Sequence, residues 1–302
     1  MFLSLFHKHH KQGIFTFTLL SFLITPALGS TIVSSGSECT IQGDPDVFGI
    51  GVRVSLYLQW GSSIIFLAFS PEQASIPRTT MAATTAALYI NTFVAAAHGN
   101  LIAIEWLVLF YLTFSLSLLN LPVSRAGLQK HGGTIALMSF LWGIYYVVSP
   151  WMFFKGLDIA KEPGCDVKIV IFVPISIYAH GFRTAFKVLS IFDAILLGIA
   201  NFGLAVYLFV RWIQGWADRE VQENIDKPGL RGRILATFQV ISGVIAIIFA
   251  ERTLSVNHVT FPGVAINNSG QLIPFILGLF ALVASIFSAL KTFSRSHVQG
   301  AT

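Results

Sequence analysis

The sequence predicts an all-α integral membrane protein: a bundle of seven transmembrane helices with a lumenal amino terminus and a cytosolic carboxyl terminus. Three observations predict it. Of the 302 residues, 54% are hydrophobic and 11% charged, where a soluble domain carries roughly 25% charged residues. The apolar residues fall in blocks of about 17 to 25, the length that crosses a hydrocarbon core of about 30 Å at 1.5 Å per helical residue. Basic residues gather in alternate connectors, as a fixed orientation in the bilayer requires. No stretch is polar enough to form a soluble domain, so residues 47–290 read as one membrane domain.

Residues 1–29 carry a basic segment, His7 to Lys11, an apolar run from Ile14 to Leu28 and small residues at Ala27 and Gly29. That pattern predicts a signal peptide or signal anchor, followed by a lumenal segment over 30–46. The predicted spans are Val47 to Phe69, Met81 to Ala97, Leu101 to Asn120, Gly132 to Phe154, Ala185 to Val210, Ile234 to Ala250 and Gln271 to Leu290, with a cytosolic tail over 291–302. The stretch from Ile169 to Ala179 is apolar but too short to span, and Pro174 interrupts it; it is expected to lie against the bundle on the lumenal side or to dip partway in.

Under this topology the cytosolic connectors and tail hold ten basic residues and the opposite side six, in agreement with the positive-inside rule. The two cysteines, Cys39 and Cys165, both fall on the lumenal side, where a disulfide is permitted. So does the glycosylation sequon at Asn267. The net charge of +5 forms no continuous basic face, which argues against a nucleic-acid partner. Arg211 to Arg233 mixes both signs and reads as a solvated helical connector.

An ionisable side chain at the bilayer centre costs on the order of 2.5–3.5 kcal/mol, so those inside spans need a reason. Arg53, Glu105 and Asp193 lie one to two turns into the first, third and fifth spans, all in the lumenal half, and His98, Glu251 and Arg252 sit at neighbouring helix ends. The asymmetry predicts a polar cavity open to the lumen. Arg53 also admits a simpler account, a buried ion pair with one acid that locks helix packing. Asp193, flanked by Ile191, Phe192, Ala194 and Ile195, has no counter-ion nearby in sequence and is expected to keep its proton, which a general acid requires. Tyr57 and Trp60 on the first span, Trp106, Phe110 and Tyr111 on the third, Trp142, Tyr145, Tyr146 and Trp151 on the fourth and Phe192 beside Asp193 form an aromatic crowd. Aromatic faces stabilise cations, although most membrane aromatics simply pack or mark the interface.

The segment from Cys39 to Trp60, CTIQGDPDVFGIGVRVSLYLQW, resembles the opening of a fungal multi-pass membrane family. Some of its members are membrane-bound terpene cyclases of ascochlorin-type meroterpenoid pathways. The motif covers about 22 residues; the remainder is similar in hydropathy alone. The resemblance implies protonation of a terminal epoxide or olefin on a prenyl chain attached to an aromatic or quinone-like head, then carbocation cyclisation and proton loss. Asp193 or Glu105 is the expected acid. Arg53, Tyr57, Trp60, Trp106, Phe192 and Glu251 are the expected substrate-binding residues, and Asp44 and Asp46 are expected to cap the first helix. No DDxxD run or other carboxylate cluster suggests a magnesium diphosphate site, so neither a metal nor a cofactor is expected. The expected partners are a lipophilic prenylated small molecule and membrane lipid, and the expected location is the endoplasmic reticulum.

Two other classes fit the same topology. A seven-helix receptor would share the orientation and the lumenal disulfide, but the sequence has no Asp/Glu-Arg-Tyr-like triplet after the third span and no Asn-Pro-x-x-Tyr in the seventh. A proton- or ion-coupled transporter could use Arg53, Glu105 and Asp193 as a relay; paired Gly and Pro breaks in two halves, which would favour it, are not seen. No G-x-S-x-G elbow points to a serine nucleophile.

Overall fold

The computed structural model describes residues 40–69, 75–98, 103–118, 131–159, 165–217, 230–261 and 269–299. The predicted leader, Cys39, the sequon at Asn267 and most of the charged connector lie outside them.

In chain order the elements are β1 (Ile41–Gln42), α1 (Pro45–Phe48), α2 (Ile50–Phe69), α3 (Ser75–Ala97), α4 (Ala103–Leu118) and α5 (Gly132–Trp151). A π-helical turn (Met152–Gly156) and the short α6 (Leu157–Ile159) extend α5. Then come β2 (Lys168–Ile171), β3 (Val173–Ser176), α7 (His180–Asp193), a second π-helical turn (Ala194–Gly198) and α8 (Ile199–Ala217). The chain closes with α9 (Leu230–Val256), β4 (Val259–Thr260) and α10 (Ser269–Gln299). The described chain is mostly helical, and six helical stretches are long and apolar enough to cross a membrane: Pro45–Phe69, Pro77–Ala97, Gly132–Ile159, His180–Gln214, Thr237–Val256 and Gly270–Thr292. The block expected at 101–120 forms a shorter apolar helix. Its 16 residues reach about 24 Å at 1.5 Å each, less than the other six.

Local chemistry sets the first element. Pro45 occupies the first turn, where its missing N–H costs nothing, and the Asp44 side chain caps the turn by accepting the Asp46 N–H at 2.8 Å. The tightest helix pair joins the two ends of the sequence, α2 against α10. A Cβ on Gly278 would stand 2.7 Å from the Ser55 Cα, and one on Gly51 would stand 2.7 Å from the Gln271 carbonyl oxygen. Small residues let the backbones meet, and with no hydrophobic drive between helices in lipid, such packing plus hydrogen bonds carries association. The Ser55 hydroxyl donates to the Pro274 carbonyl and the Ser62 hydroxyl to the Ala281 carbonyl at 2.8 Å.

Around this pair, α4 packs on α9, and α5 packs on α8 and its preceding π turn. The main core is an aromatic-rich cluster drawn mainly from α2, α3, α4, α5 and α9, with two small satellites around Ile65 and Leu282 and around Ile135 and Leu208. At one end of the bundle β1 pairs in parallel with β4, Ile41 opposite Val259. At that same end Ile169 to Ser176 forms a β-hairpin rather than a helix, β2 antiparallel to β3 with Phe172 at the turn.

Candidate functional site

The intramembrane charges resolve into two separate places. At the β1–β4 end, Arg53 of α2 forms an ion pair with Glu251 of α9. Its Nε–H donates to the Phe48 carbonyl at 2.9 Å, and its guanidinium stands 5.8 Å from the centre of the Phe261 ring. Tyr57, one helical turn along the same face, donates its hydroxyl to Glu251 at 2.5 Å. One carboxylate thus ties two positions of the first long helix to α9. Of the three acids offered by the sequence, Glu251 is the one that neutralises Arg53.

Glu105 is 4% exposed, and its carboxylate accepts the Asp44 backbone N–H at 2.7 Å. It therefore holds the chain at the entrance to α1, 61 residues earlier. Trp60 is fully buried against α9, where a Cβ on Gly243 would come within 2.4 Å of its indole nitrogen.

Trp106, also fully buried, belongs to an aromatic tier between α3, α4 and α5. It stacks on Tyr145 at 4.4 Å, Tyr145 stacks on Phe110 at 5.4 Å, Phe110 on Phe114 at 5.2 Å, and Phe114 meets the edge of Trp142 at 5.2 Å. Tyr89, Phe93 and Tyr146 close the tier from the sides. The Tyr145 hydroxyl donates to the Trp106 carbonyl at 3.3 Å. Among the described residues, the indole N–H groups of Trp106 and Trp142 and the buried hydroxyls of Thr92 and Ser139 find no hydrogen-bond partner. A buried donor without an acceptor costs about 1–3 kcal/mol.

Asp193 lies apart from Glu105, on a helix that packs on α5. It is the last residue of α7, directly before the π turn, a local widening of the helix common at functional sites. The π turn packs on α5: a Cβ on Gly198 would sit 3.0 Å from the Val147 side chain. Asp193 is half-buried, acts electrostatically on Tyr146 of the tier, and among the described residues makes no hydrogen bond or ion pair. Phe192 beside it, an expected substrate-binding residue, is 57% exposed. The arrangement does not bring Glu105 and Asp193 into contact. Trp106, next to Glu105, rests on Tyr145 of α5, and Asp193 acts electrostatically on the neighbouring Tyr146.

Cys165 is disulfide-bonded; Cys39, its expected partner, and Asn267 lie outside the described residues. Among the described residues no group of three or more His, Cys, Asp and Glu side chains is arranged to hold a metal ion. Trp142, Tyr145 and Tyr146, named in the sequence only as part of an aromatic crowd, turn out to be the middle of the tier. Their spacing of three and four residues on one helix was the available signal. Comparison with family models, with curated proteins and with solved structures finds no match for this chain.

Proposed function

We propose that the chain is an integral membrane terpene cyclase that protonates a prenyl epoxide or olefin, with Asp193 as the proton donor and the aromatic tier as the wall that holds the cation. One observation carries this reading. A carboxyl in an apolar helical stretch, with no ion pair or hydrogen bond among the described residues, heads a π turn that packs on α5 at Tyr146, a member of the buried aromatic layer. A carboxyl without a counter-ion in a medium of low polarity stays neutral, so it has a proton to give. The reaction is an isomerisation. The Asp193 proton goes to the epoxide oxygen, the C–O bond breaks, a chain double bond attacks the resulting cation to form the C–C bond, and loss of a proton to water or a carboxylate ends it. A ring face free to meet the cation stabilises it by about 0.5–2 kcal/mol; in the tier Tyr146 meets Tyr145 and Phe110 at an angle, whereas Trp106, Tyr145, Phe110 and Phe114 stack on one another.

In this reading seven spans cross the bilayer, the short α4 included, and the β1–β4 end faces the lumen of the endoplasmic reticulum. Cys39 pairs with Cys165 there. Arg53, Glu251 and Tyr57 hold α2 and α9 together at the lumenal side of the tier, and Glu105 positions the chain before α1. The substrate is a lipophilic prenylated compound drawn from the membrane.

Microsomes carrying Asp193→Asn test the proposal with a prenylated, epoxidised aromatic substrate. Product formation should disappear while the protein remains inserted. Unchanged turnover in a properly inserted Asp193→Asn protein overturns Asp193 as donor, and no turnover by the unaltered protein with any prenyl epoxide or olefin overturns the cyclase itself.

A further inference from the structure

The β2–β3 hairpin lies along α9 in a register set by two matching repeats. Strand residues on one side recur every second residue, about 6.6 Å, and positions on one helix face recur every fourth, about 6 Å. Lys168, Val170 and Phe172 therefore meet Asn257, Thr253 and Phe249 in step. The Lys168 N–H donates to the Asn257 side-chain oxygen at 2.7 Å, the Val170 N–H donates to the Thr253 hydroxyl at 3.1 Å, and the Phe172 ring meets the edge of Phe249 at 5.4 Å.

Non-helical backbone at membrane depth must find its hydrogen bonds within the protein, and side chains of α9 supply them along β2. On the outer strand, Pro174 stands opposite Val170 and has no N–H to leave unpaired. The tip is apolar and turned outward: Phe172 is 85% exposed and Val173 60%. Phe172 has a φ of 75°, where glycine is the usual residue; this turn carries an aromatic ring instead. The depth follows from α9. Phe249 and Thr253 lie within the apolar stretch Thr237–Val256, and Arg252, exposed near the end of the same helix, is long enough to bring its charge to headgroup level. Phe249 is three residues further in, about 4.5 Å.

We propose that the β2–β3 hairpin is a lipid anchor: Phe172 and Val173 insert among the upper acyl chains of the leaflet at the β1–β4 end, with Lys168 and Arg252 at headgroup level. The occupant of this exposed tip is lipid because its register on α9 places it inside an apolar span. The full-length protein with Phe172→Cys, carrying an environment-sensitive nitrobenzoxadiazole label on the new thiol, tests this in phosphatidylcholine vesicles, since Cys165 is already disulfide-bonded. Fluorescence should be lost most to a nitroxide high on the acyl chain, less to one near the terminal methyl, and least to iodide in the buffer. A label at His258→Cys, an exposed turn position after α9, should show the reverse, iodide quenching most. Val173→Cys repeats the measurement if the Phe172 variant does not fold. Iodide quenching at 172 or 173 equal to that at 258 overturns the proposal. So does a label shielded from iodide and both nitroxides, which would mean a protein covers the tip, and strongest quenching by the deep nitroxide overturns the shallow placement.

Discussion

Removing the charge of Glu251 should cost the bundle more than any other single polar change at the β1–β4 end. The Arg53 and Glu251 side chains are 10% and 15% exposed, so water does little to screen or replace the pair. Breaking a buried ion pair by deleting one partner costs about 3–5 kcal/mol, because the remaining charge is stranded. Glu251→Gln belongs at the lower end, about 3 kcal/mol. The amide can still accept from Tyr57, and Arg53 keeps its bond to the Phe48 carbonyl and the Phe261 ring. Glu251→Ala also leaves the buried Tyr57 hydroxyl without its acceptor and belongs near 5 kcal/mol, the top of that range. Arg53→Met combined with Glu251→Leu should recover most of the loss, since replacing both members of a buried pair with apolar residues is often neutral. Unfolding by sodium dodecyl sulfate titration in mixed micelles reads these differences; 3 kcal/mol is about a hundredfold in the unfolding constant. Strictly additive effects of the two single replacements, giving a coupling energy of zero, would refute the reasoning.

Three further expectations use the same protein. Gly278→Ala should destabilise the bundle by about 1–3 kcal/mol, because the new Cβ meets Ser55 backbone at 2.7 Å, whereas Gly203→Ala, with nothing within 4 Å, should be neutral or mildly stabilising in the same titration. Thr253→Val removes the acceptor of the Val170 N–H, and hydrogen exchange at the Val170 amide should accelerate by the equivalent of about 1–3 kcal/mol; unchanged exchange would show that the hydroxyl does not hold β2. Glu105→Gln keeps an oxygen for the Asp44 N–H and should leave stability within about 1 kcal/mol, while Glu105→Ala leaves that donor unpaired and should cost about 1–3 kcal/mol. Loss of turnover in a stable Glu105→Gln protein would move the proton donor from Asp193 to Glu105.

The long helices were legible because their apolar blocks are set apart by polar connectors, and Asp44 as a cap because an Asp before Pro at a helix start has few other uses. The start of α7 was hidden for the opposite reason. His180 to Lys187 is amphipathic, so an apolar-block reading begins the helix at Ala185, about a turn and a half late. Arg53 announced that it needed a partner, but Glu251 is 198 residues away, and distance along the chain carries no information about which acid it meets. Glu105 could not be linked to Asp44 from the sequence, because it accepts a backbone N–H there and only side-chain partners can be sought in a sequence. The hairpin was missed as a strand pair because Ile169 to Ile175 is apolar on both faces and shows no alternation of period two. Phe192 follows Ile191 and precedes Asp193 in an apolar run, and nothing in that run says which face turns inward.

The seam between α2 and α10 sets a timetable for biogenesis. Ser55, Ser62 and Gly51 enter the bilayer early, yet the partners that satisfy them lie some 220 residues later, about 11–44 s of synthesis at 5–20 residues per second. Throughout that interval the first long helix must shelter a polar, glycine-notched flank in lipid or against a helper protein. Truncations ahead of α10 should therefore be recognised by quality control as unfinished, even though every other span is already in place.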